Sequence, residues 1–500
     1  MNGSRCYCIL CALVGLALVI LLFGMPAVVQ AQPSKGPQGP VSFIKDIAPI
    51  LKENCFACHD AKKKKGKLEM MTYENLRKGG TKDDPITPGK SKESILIDMV
   101  TSTGPGRMPP RDTGDPLPKE QVALIAKWID EGAKLDAGID AKADLLRELR
   151  IRFQPPPLLP AYKYPVNVNA LVFTPDNKKV VVGGYHELTV WDAGSGKLEK
   201  RVATRAERAY SMVFLPDGKL VVAGGRPGQE GDVRIYNINA GKPGMVGGVP
   251  TIDGVNDKTV FLQELVQTED AVLAVALSPD GKKLASAGTD RLLRVWDLPT
   301  GKIEHTIENH ADWVFGLAFA PDGKHLATAS RDKTAKVWDL TAKESMLTFP
   351  DHQNSVYSVA ITGDGKLGLS CGEDSQVRQW QATDANKQIG KQTKVVGSHG
   401  KAVFRMVQHN DPKNPIVATS GADGTVKLWN PVAGTALKTL SGHSDWVYAV
   451  AISPDGQLVA GGAWNGEVRV WKVADGKEAT VFNASPGYVA PAVVKAPEKK

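Results

Sequence analysis

A repeat of about 42 residues runs through most of the chain and constrains its fold more than any other feature. The repeat anchors are aromatic: Trp191, Tyr236, Trp296, Trp338, Trp380, Trp429 and Trp471. Each closes a strand-like run such as Leu293-Arg294-Val295-Trp296 or Lys336-Val337-Trp338. Upstream of most stands a strand and turn, as in Ala274 to Lys282 (AVALSPDGK) and Gly316 to Lys324 (GLAFAPDGK). Related turns sit at Pro175-Asp176, Pro216-Asp217-Gly218, Gly363-Asp364-Gly365 and Pro454-Asp455-Gly456. Pro and Asp-Gly set tight turns between neighbouring strands. Four short strands per period, repeated radially, predict the blades of an all-β propeller, an architecture without long open edges. Seven anchors predict seven blades over residues 165–484. Lys477 to Phe482 can supply the last outer strand, so the ring closes without a strand from the N-terminal side. Between Tyr236 and Trp296 the period stretches by about 18 residues, from Gly241 to Gln263, which predicts a projecting loop or small hairpin.

A polar pattern rides on the repeat. His310, Thr328, Asp332 and Trp338 have offsets that recur at His352, Ser370, Asp374 and Trp380. His399, Thr419, Asp423 and Trp429 repeat the set with two extra residues around Asp411 to Pro415. Ser286, Asp290 and Trp296 lack the His, and His443 and Trp471 have Gly461 and Asn465 at the hydroxyl and carboxylate places. The blade ending in Tyr236 and the one before it depart further. On these residues the array resembles the WD-repeat family. The resemblance implies that each full set forms a buried hydrogen-bonded chain within its blade, every polar group partnered. The four histidines are therefore structural, not a metal set. Cys371, beside an inner strand, reads as a buried small hydrophobe. Trp313 and Trp446 each follow a repeat histidine by three, where another repeat has Ser355. With Trp464 they form either a partner-contact patch or ordinary packing.

Composition narrows the rest. Hydrophobic residues make up 42 % and charged residues 23 %, which excludes wholesale disorder. A net charge of +8 leaves no domain basic enough to demand nucleic acid. Six cysteines in 500 residues exclude a disulfide scaffold. Three of them, Cys6, Cys8 and Cys11, lie in an N-terminal apolar run. Cys8 to Phe23 has the length of a signal-peptide core, with cleavage expected after Ala31. The run from Ile9 to Val29 is also long enough to span a bilayer as an uncleaved anchor. Either reading exports the remainder, to the periplasm or to a membrane anchor facing it. Residues 32–40 read as a spacer.

Two more cysteines sit in Cys55-Phe56-Ala57-Cys58-His59, the attachment motif of c-type haem. Val41 to Asn54 is helical in pattern, with Phe43, Ile47, Ile50 and Leu51 on one face. Cysteines three apart on the continuing turn point the same way and reach two vinyl groups on one haem edge. His59 is placed to ligate the iron. A thioredoxin-like pair needs a βαβ context, and a zinc site needs further ligands; the next His is His186 and the next Cys is Cys371. His59 is the only histidine of this region, so the sixth ligand comes from Met70, Met71, Met99 or Met108, or the site is open. Met108 is favoured, because the prolines after it in Gly106-Arg107-Met108-Pro109-Pro110 stiffen a loop suited to presenting a thioether. A closing amphipathic helix is predicted over Lys119 to Ala133, with Trp128 filling the core or packing near the haem. These residues resemble a class I cytochrome c of the planctomycete type, over residues 41–140. The resemblance implies a low-spin His/Met haem used for electron transfer.

Lys62 to Lys65, with Lys67, form either a solvated loop or a docking patch for an acidic redox partner. Residues 141–164 contain Gln154-Pro155-Pro156-Pro157 and read as a semi-rigid linker; residues 485–500 read as a tail. The expected molecule is multidomain: an all-α haem domain, then an all-β seven-bladed propeller. Its expected function is electron transfer through one covalent haem c. A redox protein is the expected partner, and the propeller docks a protein or polymer. No nucleic acid is expected, and a membrane only if the N-terminal segment stays uncleaved. The alternatives are a haem-dependent oxidoreductase and a haem-based sensor.

Overall fold

The computed structural model describes residues 39–490 apart from 309, 384–388, 410 and 412. The leader expected over residues 1–31 lies outside the described residues. Among those described, no helix is long and apolar enough to cross a membrane. The chain divides between Arg152 and Phe153 into two compact units.

The first unit is helical. Ser42 Oγ accepts from the Lys45 amide at 3.0 Å, and Asp46 Oδ2 accepts from the Ser42 amide at 2.8 Å. This reciprocal cap starts a π-turn at Phe43–Ile47 that runs into α1 (Ala48–Asn54). Then follow α2 (Tyr73–Lys78), α3 (Ile95–Thr101), α4 (Lys119–Asp130) and α5 (Leu145–Arg152). Phe43, Ile47 and Leu51, four apart, turn one face inward with Leu76, Ile125 and Ile129. Trp128 is a core residue: its ring lies 5.1 Å from that of Phe43, and Nε1 donates to the Lys134 carbonyl at 3.0 Å. The unit runs past residue 140, where the sequence pattern places its end. Leu145 of α5 is buried in the helical core, and its amide donates to the Met71 carbonyl at 2.9 Å.

The segment after Arg152 belongs with the second unit. Arg201 Nη1 donates to the Leu159 carbonyl at 2.8 Å, and the Tyr162 amide donates to the Pro486 carbonyl at 3.0 Å. Tyr162 Oη donates to Glu187 Oε1 at 2.6 Å. The linker is thus fastened from Leu159 onward to a fully buried ion pair, Glu187 and Arg201, 2.6 Å apart.

The second unit is all β. Its first sheet comprises β1 (Leu171–Phe173), β2 (Lys179–Gly183), β3 (Tyr185–Asp192), β4 (Leu198–Phe214), β5 (Leu220–Arg226), β6 (Glu230–Tyr236), β7 (Gly244–Val246), β8 (Val249–Asp253) and β9 (Phe261–Thr268). The order is β1-β2-β3-β4-β5-β6-β9. Strand β4, 17 residues long, pairs with β3 through its first part and with β5 through its last. The stretched period holds the hairpin β7–β8, and β8 lies parallel to β4. Five antiparallel four-stranded sheets follow in chain order, over residues 272–308, 314–349, 356–398, 403–440 and 447–483. The outermost strand of the last is Glu478–Asn483, in the place read from Lys477 to Phe482.

The turns explain the recurring Asp-Gly. Asp280, Asp322, Asp364 and Asp455 each accept, through Oδ1, the amide two residues on. The following glycine has positive φ, 69° at Gly281 and 66° at Gly323, and Asn177 takes the same conformation at 62° in the first turn.

The last sheet packs on the first. Trp191 stacks on Phe482 at 4.6 Å, Thr480 Oγ1 donates to the Gly194 carbonyl at 2.5 Å, and the Val166 amide donates to Ser485 Oγ at 2.8 Å. Inner strands from all six sheets surround a central cavity of about 190 Å³. Arg405 reaches into it, with Nη1 donating to the Phe315 carbonyl and Nη2 to the carbonyls of Tyr210 and Leu273. Burial lowers its guanidinium to about 10, which leaves it charged at neutral pH.

Candidate functional site

The CxxCH segment leaves the end of α1 as a turn: the amides of Cys58 and His59 both donate to the Cys55 carbonyl at 3.1 Å. Cys55, Cys58 and His59 line one cavity of about 410 Å³, together with the thioethers of Met70, Met99 and Met108. Leu68, Leu96, Val100 and Leu117 make much of the remaining wall apolar. His59 Nδ1 donates to the Leu68 carbonyl at 3.2 Å, which leaves the imidazole lone pair on Nε2. The Met108 amide donates to the Met99 carbonyl at 2.9 Å and clips the loop to α3. Arg107 Nη2, donating to the Gly114 carbonyl at 2.7 Å, closes the loop behind it. Met71 packs against the helical core instead. Burial, and then the neighbouring Cys58, push the Cys55 thiol up to about 12, so it is neutral at physiological pH. Two thiols, an imidazole, thioethers and an apolar wall are a donor set that fits a c-type haem.

One wall was not visible in the sequence. Gly80, Thr81, Lys82, Asp83 and Pro85 also border the cavity. Thr81 bonds the Gly66 carbonyl through both its amide (2.8 Å) and Oγ1 (2.7 Å). A Cβ at Gly80 would stand 2.5 Å from that same oxygen. The pair Gly79-Gly80 was the available signal for this close approach. The lysine run is exposed, and two of its ammonium groups are engaged: Lys63 Nζ donates to the Ala57 carbonyl at 2.7 Å, and Lys64 pairs with Glu69 at 2.7 Å.

In the second unit the four repeat histidines sit in four separate sheets. His310 places Nδ1 2.7 Å from Asp332 Oδ2 and Nε2 2.6 Å from Thr328 Oγ1, which accepts from Trp338 Nε1 at 2.9 Å. His352 repeats this with Asp374 and Ser370, and His399 with Asp423 and Thr419. Without a histidine, Ser286 Oγ still accepts from Trp296 Nε1 at 3.1 Å. His443 departs: Glu467 Oε1 lies 2.9 Å from its Nδ1, and Asn465 turns to Ser444 Oγ. Glu467 stands two residues beyond the expected carboxylate place. Among the described residues, no group of three or more His, Cys, Asp or Glu is arranged to hold a metal ion.

Two family models match the chain. Residues 55–112 match Planctomycete cytochrome C, and residues 259–297, 301–339, 343–381, 390–430 and 434–472 each match the WD domain, G-beta repeat. The chain joins a planctomycete-type cytochrome c domain to WD repeats. Such a domain implies haem, and the repeats suggest a protein-interaction module. Lissencephaly-1 homolog 1 of Paramecium tetraurelia is 30 % identical over 95 residues, 19 % of this chain and 24 % of the relative. The small ribosomal subunit protein RACK1 of Neurospora crassa is 35 % identical over 75 residues, 15 % of this chain and 24 % of the relative. RACK1y of Oryza sativa subsp. japonica is 40 % identical over 68 residues, 13 % and 20 %. The chain thus spans about a quarter or less of the length of these relatives.

The WD repeats gather the singled-out tryptophans. Trp313 contacts Phe315, Phe315 contacts Tyr357, and Tyr357 contacts Phe404, with ring centroids 6.2, 5.2 and 6.1 Å apart. Phe404 stacks on Tyr448 at 4.4 Å, and Tyr448 contacts both Trp446 and Trp464. The result is one aromatic arc across four repeats, with Trp446 43 % and Trp464 51 % exposed. Arg331 covers the Trp313 ring at 5.0 Å. The linking rings were missed, although their signal is regular: Val314-Phe315, Val356-Tyr357, Val403-Phe404 and Val447-Tyr448 hold one register position in successive repeats. Cys371 is fully buried, and burial raises its thiol, as a small core residue requires.

Proposed function

We propose that this chain is an exported monohaem c-type cytochrome that transfers electrons, with a seven-bladed WD propeller as its partner-docking platform. The carrying observation is that Cys55, Cys58, His59 and Met108 line one cavity. Cys55 and Cys58 are the thiols that would hold one haem c covalently, and His59 Nε2 and Met108 Sδ would ligate its iron. The haem, when bound, supplies one-electron iron chemistry. The Leu68 carbonyl accepts the proton of His59 Nδ1, which leaves the ring's lone pair on Nε2. Leu96, Val100 and Leu117 keep water from the cavity wall. The Met99 and Gly114 carbonyls hold the methionine loop closed. The exposed lysines after the motif favour approach of an acidic redox protein.

The seven-blade reading rests on β4. Its two pairings separate the nine-stranded sheet into β1-β2-β3-β4 and β4-β5-β6-β9, which join the five later sheets. The aromatic arc with Trp313, Trp446 and Trp464 is the contact surface for a protein or polymer partner, and the N-terminal apolar run is the reason for placing the molecule in or facing the periplasm. The test is an optical spectrum of the intact, haem-matured chain, oxidised and reduced, with and without carbon monoxide. A methionine–iron charge-transfer band that disappears in Met108→Ala supports the reading. Rapid carbon monoxide binding by the reduced wild type overturns it in favour of a sensor or catalyst.

A further inference from the structure

A second cavity, of about 580 Å³, lies in the helical unit and shares the walls Val100 and Leu117 with the first. The remaining apolar floor is Val122, Ala123 and Ala126 of α4. Arg107, Arg111 and Lys119 border it, and its lining contains no Asp or Glu. None of these three cations makes an ion pair among the described residues. Arg107 Nε is buried without a hydrogen-bond partner, although Nη2 of the same group is bonded to Gly114. Arg111 Nη2 donates only to a carbonyl, that of Thr103, at 2.5 Å. Asp112, Asp115 and Glu120 neighbour the cations in sequence, yet none lines this cavity; Asp115 faces the other one. Lys119 and Val122 bring the start of α4 to the cavity, and its N-cap, Pro118, makes no side-chain cap bond.

An apolar floor calls for an apolar body, and three unneutralised cations beside a helix start call for negative charge. We propose that this cavity binds a small anionic amphiphile: one apolar body carrying a single carboxylate, sulfonate or phosphate head. The body lies on Val122 and Ala123, and the head accepts from the exposed Arg111 guanidinium and Lys119 ammonium. The volume is that of a small-molecule site, which separates this occupant from the flat surface a protein partner needs.

The test is calorimetric titration of the intact, haem-loaded chain with anilinonaphthalene sulfonate, beside the uncharged phenylnaphthylamine. One saturating site is expected for the sulfonate, with at least tenfold weaker binding of the neutral probe. Arg111→Gln combined with Lys119→Gln should weaken the sulfonate about tenfold, and Ala123→Trp, which fills the cavity from an exposed position, should abolish it. Circular dichroism confirms the fold of each variant. Absence of saturable binding, equal affinity for the neutral probe, or unchanged affinity in either the charge or the filling variant overturns the proposal. The haem bands, recorded in parallel, report on the first cavity separately.

Discussion

Thr328 shows what one buried hydroxyl does in this fold. It serves His310 and Trp338 at once, so Thr328→Val leaves two buried groups without a partner while keeping the shape. The expected loss is about 2 kcal/mol by urea denaturation, against about 1 kcal/mol for Ser286→Ala, where Trp296 alone is orphaned. The carboxylates of these chains make stability pH-dependent. Burial, the largest single influence, pushes Asp374 up, but the hydrogen bond and charge of His352, the Gln376 amide and the Arg378 charge together outweigh it and hold the group at about 2. Burial likewise pushes Asp332 up, and His310 together with the hydroxyl and amide of Thr334 holds it lower still. A carboxyl depressed below its ordinary value near 3.9 adds stability above that pH and loses it as the pH falls through the folded value. Thermal midpoints should therefore drop between about pH 4 and pH 2, and Asp374→Asn should shallow that drop. The Asp and hydroxyl places were legible because their offsets from Trp are constant in a repeat. Glu467 was not, because it reaches His443 Nδ1 from a place two residues beyond Asn465, the position where the other repeats carry their carboxylate. At the candidate haem site the CxxCH motif was legible because it is local. The wall at Gly80 to Pro85 was not, because it arises where a distant turn folds back on Gly66.

Among the elements, β3 and β4 carry the largest local risk. Glu187 and Arg201 face each other with no solvent access, and Tyr162 and Leu159 complete their hydrogen bonds. Removing one partner leaves a buried charge uncompensated, so Glu187→Ala should cost about 3–5 kcal/mol in urea denaturation. Replacing both, Glu187→Leu with Arg201→Met, should recover most of that loss. The pair was hidden in the sequence because Glu and Arg on alternating strands look like solvent-facing residues. Their burial comes from the linker laid over them, a tertiary fact with no local pattern. The prolines of that linker were legible, but its fastening was not. The helices show the converse: the apolar stripe of α4 was enough to place its core face, whereas the reach of the unit to α5 depended on Leu145 finding a partner at Met71.

For the second unit as a whole, stability depends on the contact of its last sheet with its first. That seam is held by stacking of Trp191 on Phe482 and by hydrogen bonds to Gly194 and Ser485, without a strand crossing from one sheet to the other. Phe482→Ala should therefore cost about 3 kcal/mol and lower the unfolding midpoint of this unit. A scanning calorimetry trace in which the midpoint does not move would show the seam to be energetically idle. Strand β4 is the opposite case. It runs through the nine-stranded sheet without a break, pairing with β3 by its first part and with β5 by its last. Gene rearrangements can duplicate or delete a repeat by breaking in the connections between the later sheets. A break in β4 disturbs the pairing of β3 and of β5 together, so this part of the array is inherited as a double unit.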